Sequence, residues 1–249
     1  MNEIVDTFGP NLSVAVIGGS GGIGQALTRC LMGSRNVKRV FNLGRRHCDP
    51  LGDTTFIPLD LENEASVAKA AKTIRLETDY LHVILVATGI LHAGTDMQPE
   101  KSRNAISAEA MAQAFRINAI GPALVAKHFF DLLPRHRKAA FAALGARVGS
   151  LSDNHLGGWY SYRASKAALH MLVRTFSIEL GRTHPEALCI ALHPGTVDTS
   201  LSKPFVRNQS RSKLLTPEQS AYALLSALNS RTSEDSGRII AWDGSVIPF

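Results

Sequence analysis

The sequence predicts an α/β fold: a doubly wound parallel sheet of about seven strands with helices on both faces. Two observations carry that reading. Several segments are apolar at every position rather than at alternate ones, and strands of that kind are covered on both faces. Between them lie segments whose apolar residues recur at helical spacing. Strand and helix therefore alternate, and right-handed crossovers place helices on either side of one sheet. A third observation is local. Five glycines fall within the seven residues 18–24, directly after the first apolar run.

The elements follow in order. "LSVAVIG" (12–18) is the first strand. The helix after it, 23–34, sets Ile23, Leu27, Cys30 and Leu31 on one stripe. "VKRVFNLG" (37–44) is the second strand and "TTFIPLDL" (54–61) a short third. Asn63 stands where it would cap a helix over 63–77. "HVILVATG" (82–89) is a buried fourth strand. A long helical stretch, 107–133, is expected to bend at Gly121-Pro122, because proline withholds an N–H and clashes with the preceding turn. "AAFAALGA" (139–146), a helix over 161–182, "ALCIALHPG" (187–195), a helix within "TPEQSAYALLSALNS" and a seventh strand in "GRIIAWDG" complete the alternation. No linker, repeat or low-complexity run divides residues 1–249, so they are read as one domain. The loosest segment is 200–215, polar and basic, of a length at which loops tend to carry function.

Composition narrows the function classes. The 249 residues are 45% hydrophobic, enough for a large core, and carry a formal charge of +6. The densest basic stretch, "KRVFNLGRRH" (38–47), is interleaved with strand residues. That pattern reads as scattered solvated charge with one phosphate site, not as a nucleic-acid face. Cys30, Cys48 and Cys189 are too few and too far apart for a disulfide framework. Adjacent His47 and Cys48 lack a second pair at ligand spacing, so no metal is expected. Glu3 and Asp6 argue against a leader peptide, and no run of about 18 apolar residues suggests a membrane span. A soluble, reduced, cytoplasmic protein is the expectation.

The glycines have a physical purpose in such a sheet. The loop after the first strand faces the ligand crevice. Gly18, Gly22 and Gly24 stand as G-x-x-x-G-x-G. Gly18 would allow a tight turn, Gly22 the approach of a pyrophosphate, and Gly24 close packing of helix on strand. The helix N-terminus would then present free N–H groups to the phosphates. A plain glycine-rich turn is the alternative. At the end of the second strand an acid would bind the 2′-hydroxyl of NAD. Here Gly44, Arg45 and Arg46 stand instead, and arginine can grip a 2′-phosphate through two charge-assisted bonds. The reading is NADP(H) in preference to NAD(H), against two arginines lying in solvent. Asp60 could accept from an adenine amino group or cap the next helix.

"GGWYSYRASKAALHML" places Tyr162 and Lys166 four residues apart, on one helix face and one turn from each other. A free tyrosine, with a pKa of about 10, is a poor acid–base at neutral pH. A neighbouring ammonium would favour the phenolate and pull that value down. Tyr160, Trp159 and His155 are read as lining a substrate pocket or packing at the surface. Asp153 and Asn154 could cap the long helix or touch substrate. His193 is read as a packed strand-end histidine.

With the glycine loop and the tyrosine–lysine pair about 140 residues apart, the whole chain resembles the short-chain dehydrogenase/reductase family. "RINAIGP" with Asn118 and "LHPGTVDTSL" match two further family segments, and "GSLSDNHLGGWYSYRASKAAL" and "AWDGSVIPF" look like its C-factor-like subgroup. The resemblance implies a Rossmann-type fold and a carbonyl reductase or alcohol dehydrogenase, as a homodimer or homotetramer acting on a small-molecule carbonyl or alcohol. It implies Tyr162 as general acid–base, Lys166 on the nicotinamide ribose, and Asn118 holding a helix bend and a relay water. Cofactor contacts carry over to Gly18, Ser20, Gly22, Ile23, Gly24, Arg45, Arg46, Asp60, Leu61, Thr88, Gly89, Tyr162, Lys166, Pro194, Gly195, Val197 and Thr199. Two departures stand out. Val86-Ala87-Thr88-Gly89 replaces the family's Asn-Asn-Ala-Gly, so the asparagine contact is lost. Gly145 and Ala146 occupy the family's serine positions. Ser150 is the nearest hydroxyl, either a displaced replacement or a structural loop serine, with Ser152 behind it. The lost serine motivates a second function class, a non-catalytic NAD(P)-binding regulatory or cell-signalling protein.

Overall fold

The computed structural model describes residues 4–46, 54–94, 97–205 and 214–249. His47, Cys48 and positions 206–213 of the polar segment lie outside the described residues. One sheet runs through the described chain in the order β3-β2-β1-β4-β5-β6-β7-β8. Its strands are β1 (Leu12–Ile17), β2 (Val37–Gly44), β3 (Thr55–Pro58), β4 (Val83–Val86), β5 (Ala139–Leu144), β6 (Ala187–His193), β7 (Ile239–Ala241) and β8 (Val246–Ile247). The first seven pair in parallel. β8 folds back antiparallel on β7, with Ile239 facing Ile247. This two-residue strand adds to the expected seven. "SVIPF" is too short to show a strand pattern, and only the turn at Asp243–Gly244 brings it to the edge.

Among the described residues six α-helices cover the sheet: α1 (Gly22–Met32), α2 (Glu64–Glu77), α3 (Ala108–Phe115), α4 (Gly121–Phe129), α5 (Tyr160–Thr183) and α6 (Pro217–Asn229). Alternation along each fully buried strand feeds two cores. Ala15 and Ile17 of β1 join Val67 and Ile74 of α2, Phe129 of α4 and Leu169 of α5 on one face. Val14 and Val16 join Leu27 and Leu31 of α1 and Leu224 and Leu228 of α6 on the other. That two-sided burial is why these strands read as unbroken apolar runs.

The expected bend in the long third helix sits one turn earlier than Gly121-Pro122. Residues Arg116–Ile120 form a π turn between α3 and α4, and the Gly121 N–H donates to the Arg116 carbonyl. Pro122 has no N–H with which to restore the ordinary ladder. The extra residue is accommodated before it, as π turns in helices often are at functional sites. Asn118 lies in this turn and is fully buried.

Candidate active site

At the C-terminal end of β1 the chain turns at Gly18, whose φ of 87° is strained for any side chain. The Gly18 carbonyl accepts from the Gly21 N–H (3.0 Å), and a Cβ on Gly24 would run into that same carbonyl oxygen. The loop and α1 can meet only because both residues are glycine. Gly22 also serves a packing contact. A Cβ there would lie 3.0 Å from Cγ2 of Thr199, so the missing side chain makes room for the 194–199 segment. Gly21 caps α1 with no side-chain acceptor. The first-turn N–H groups therefore face the crevice with the positive end of the helix dipole. Ser20 is exposed at the mouth, and Ile23 packs against the core.

A cavity of about 700 Å³ runs from this loop to the ends of β2 and β3. Ser20, Arg45, Arg46, Asp60, Thr88 and Gly89 line it, with Leu61 beside them. Arg45 and Arg46 are exposed at its far end. The capping alternative for Asp60 falls away. Asn63 caps α2 by accepting from the Ser66 N–H (3.2 Å), while Oδ1 of Asp60 accepts from the Glu62 N–H at the cavity edge. Leu61 is buried and packs where Gly121 leaves room. Oγ1 of Thr88 is buried with no hydrogen-bond partner. An anion-seeking helix end, two cations across an elongated cavity and one unpartnered hydroxyl fit a dinucleotide phosphate.

The inner end of the cavity brings three elements together at Gly89. Its Cβ position lies 3.5 Å from Oδ1 of Asn118 and 3.6 Å from Nζ of Lys166. Asn118 clamps the loop after β4 in both directions. Its Oδ1 accepts from the Ile90 N–H (2.8 Å), and its Nδ2 donates to the Ile90 carbonyl (2.9 Å) and to Oγ of Ser165 (3.0 Å). Ser165 in turn donates to the Tyr162 carbonyl. Nζ of Lys166, buried, donates to the Leu144 carbonyl at 2.6 Å and lies 5.9 Å from the Tyr162 ring centre. The two groups share one face of α5 as their spacing requires. The expected lowering of the tyrosine is reversed in this structure. Burial pushes the Tyr162 phenol up to about 12 and the Lys166 ammonium down to about 8. Loss of water around each group is the cause, since burial penalises the charged form of both.

Ser150 turns into its own loop. Its Oγ accepts from the Asp153 N–H (3.2 Å) and sits 3.5 Å from Oγ of Ser152, which donates to the Phe249 carbonyl. Among the described residues no hydrogen bond joins Ser150 to Tyr162. The room left by Gly145 holds His170, whose Nε2 would be 2.7 Å from a Cβ there. His170 and His193 are both mostly buried, and burial pushes each down to about 4. His193 ends β6, as its expected packing role requires. Gly195 (φ 77°) turns the chain after Pro194, whose carbonyl accepts from Ser220. The side chain of Val197 is buried, and Thr199 lies against Gly22.

Trp159 stands edge-on to Tyr162 (6.2 Å between ring centres) and to Phe205 (5.4 Å), while Tyr160 is partly exposed and His155 exposed. Neither Asp153 nor Asn154 caps α5. Asp153 pairs with Arg147, and Asn154 accepts from the Gly157 N–H. The cap comes from Glu100, which sequence reasoning missed.

The short chain dehydrogenase family matches residues 13–210. An uncharacterised oxidoreductase of Schizosaccharomyces pombe is 27% identical over 258 residues, covering 94% of this chain and 96% of that protein. The C-signal protein of Myxococcus xanthus is 36% identical over 143 residues, 56% of this chain and 78% of its own. Among solved structures, NADPH-bound carbonyl reductase from chicken fatty liver superposes with a TM-score of 0.82 at 26% identity, over 98% of this chain and 97% of that one.

Proposed function

The chain belongs to the short-chain dehydrogenase family, whose members are NAD(P)-dependent oxidoreductases, and we propose that it reduces a carbonyl or oxidises an alcohol with NADP(H). The observation that carries this reading is the meeting of Gly89, Asn118 and Lys166 at the inner end of the cavity, with Tyr162 one helical turn away. The backbone N–H groups at the start of α1 would hold the pyrophosphate. Arg45 and Arg46 would take the 2′-phosphate, Asp60 and Leu61 would flank the adenine, and Gly89 and Thr88 with residues 194–199 would hold the nicotinamide half. The NADPH named for the chicken enzyme supports that choice of cofactor.

A bound nicotinamide supplies or accepts the hydride at the carbonyl carbon. Tyr162 gives its phenolic proton to the alkoxide oxygen in reduction and takes it back in oxidation. A phenol pushed up to about 12 is fully protonated at neutral pH, which suits the acid of the reductive direction. Nζ of Lys166, held by the Leu144 carbonyl at the inner end of the cavity, would place its ammonium beside the nicotinamide ribose. Asn118 fixes the loop at Ile90, and through Ser165 it fixes the Tyr162 backbone. Trp159 and Phe205 wall the space beside the phenol. Met171 and Ile178, exposed apolar residues on α5, support a homo-oligomer that would cover them.

The test is oxidation of NADPH and NADH over a panel of aldehydes, ketones and quinones. Turnover with NADPH supports the reading. Tight NADPH binding with no turnover of any carbonyl would favour the non-catalytic regulator.

A further inference from the structure

Helix α5 carries Tyr162 in its first turn, so the order of that turn decides where the phenol stands. The first N–H groups of a helix have no acceptor within it. The N-cap residue here, Trp159, offers none, because its side chain makes no capping bond. It also sits in the left-handed region (φ 51°), directly after Gly157 (φ 63°) and Gly158 (φ 66°). A bulky residue held there needs outside support.

That support is Glu100, which lies 61 residues before Ser161. Both carboxylate oxygens accept from the Ser161 N–H (3.3 and 3.2 Å), and Oε1 also accepts from the Ser161 hydroxyl. The Glu100 carbonyl accepts from the Trp159 N–H at 2.6 Å. One residue thus holds the chain on both sides of Tyr160. Glu100 is 4% exposed, and among the described residues no Lys, Arg or His forms an ion pair with it. Its charge is met by the N-terminus of a 24-residue helix and by a hydroxyl. A buried carboxylate in such surroundings is costly unless each oxygen is bonded, and here both are.

We propose that Glu100 is a positioning residue for the reaction: by holding Trp159 and Ser161 it fixes the first turn of α5 and with it the Tyr162 phenol and the Trp159 wall. The remainder of α5 is anchored by Leu169, Val173 and Leu180 in the core. Loss of Glu100 therefore frees the catalytic end without unfolding the helix. The proposal rests on the reading of Tyr162 as the acid–base.

The test uses the full chain and two readouts. Trp159 and Trp242 are the two tryptophans. In a Trp242→Phe background, near-ultraviolet circular dichroism and fluorescence report Trp159 alone. Glu100→Ala should lose the Trp159 dichroic band and shift its emission to the red. NADPH binding, followed by cofactor fluorescence, should stay within about twofold of the parent. On whichever panel carbonyl the wild type turns over, kcat should fall by about 10- to 100-fold, as misplacement by about 1 Å does elsewhere, with little change in the NADPH KM. Glu100→Gln keeps an acceptor oxygen and should recover most of kcat and of the band. If Glu100→Ala proves too unstable to purify, Ser161→Ala, which removes the hydroxyl contact, should show the same changes in weaker form. An unchanged Trp159 band, or kcat within twofold of wild type in a folded Glu100→Ala protein, overturns the proposal. So does Glu100→Gln behaving no better than Ala. A lost band with turnover unaffected even by Tyr162→Phe would instead overturn the acid–base reading.

Discussion

Replacing Lys166 by Met should stabilise the cofactor-free protein at neutral pH while removing its activity. Lys166 is 2% exposed, and among the described residues its ammonium hydrogen-bonds to the Leu144 carbonyl and pairs with no carboxylate. Burial lowers it from 10.5 to about 8. At about 1.4 kcal/mol per unit, the folded state at pH 7 carries a penalty of roughly 3 kcal/mol that the unfolded chain does not. Met has a similar length and no charge. Against that gain, the Leu144 carbonyl loses its partner, at a cost of about 1 kcal/mol. The net gain of about 2 kcal/mol corresponds to a rise of roughly 4–8 °C in Tm for a chain of this size. The pH dependence fixes the cause. Between about pH 8 and 10.5 the unfolded wild type holds a proton that the folded state has released. Wild-type stability therefore rises with pH across that window, and the Met variant has no such rise. Denaturant melts from pH 7 to 10 should show the gap closing and then reversing. A gap that stays constant would refute the assignment of a buried, unpaired ammonium.

Three other outcomes follow from the site. Arg45→Ala with Arg46→Ala should weaken NADPH by about 10- to 30-fold at low salt, on the basis of roughly 1 kcal/mol per exposed charge-assisted contact, and leave NADH unchanged; fluorescence titration of both cofactors checks this, and equal losses would contradict it. Gly24→Ala drives a methyl group into the Gly18 carbonyl and should cost about 1–3 kcal/mol together with most of the cofactor affinity, whereas Gly33→Ala, whose Cβ finds ordinary contacts at 3.5 Å, should be nearly neutral in melting and binding assays. Ser150→Ala should keep turnover within a few-fold and lower stability by about 1 kcal/mol, because its hydroxyl serves the turn to Asp153; a hundredfold loss of kcat would show instead that it replaces the family's missing serine.

What could be read from the sequence was whatever is encoded locally. Strands buried on both faces must be apolar throughout, so β1, β4, β5 and β6 announce themselves, and the turn at Gly18 admits little but glycine. Tyr162 and Lys166 are legible because a helix turns a spacing of four into a shared face. The missed features depend on partners far along the chain. Glu100 meets Ser161 across 61 residues, and no periodicity marks it. The π turn at Arg116–Ile120 depends on a backbone register that Pro122 only hints at. For Ser150 the sequence left two roles open, and the structure adds that its Oγ accepts from the Asp153 N–H, a loop contact no spacing encodes. The tyrosine–lysine electrostatics reversed for a related reason. Spacing shows that two groups are neighbours and says nothing of how much water each has lost.

The acid–base role of Tyr162 is tested by the turnover of Tyr162→Phe, measured beside NADPH binding and thermal melting on the same sample. The ring and its contact with Trp159 are kept, and the phenol makes no hydrogen bond among the described residues, so binding and Tm should match wild type. Carbonyl reduction should fall by several orders of magnitude, because the phenol that protonates the alkoxide is gone. Turnover close to wild type with NADPH still bound would rule Tyr162 out as the acid–base.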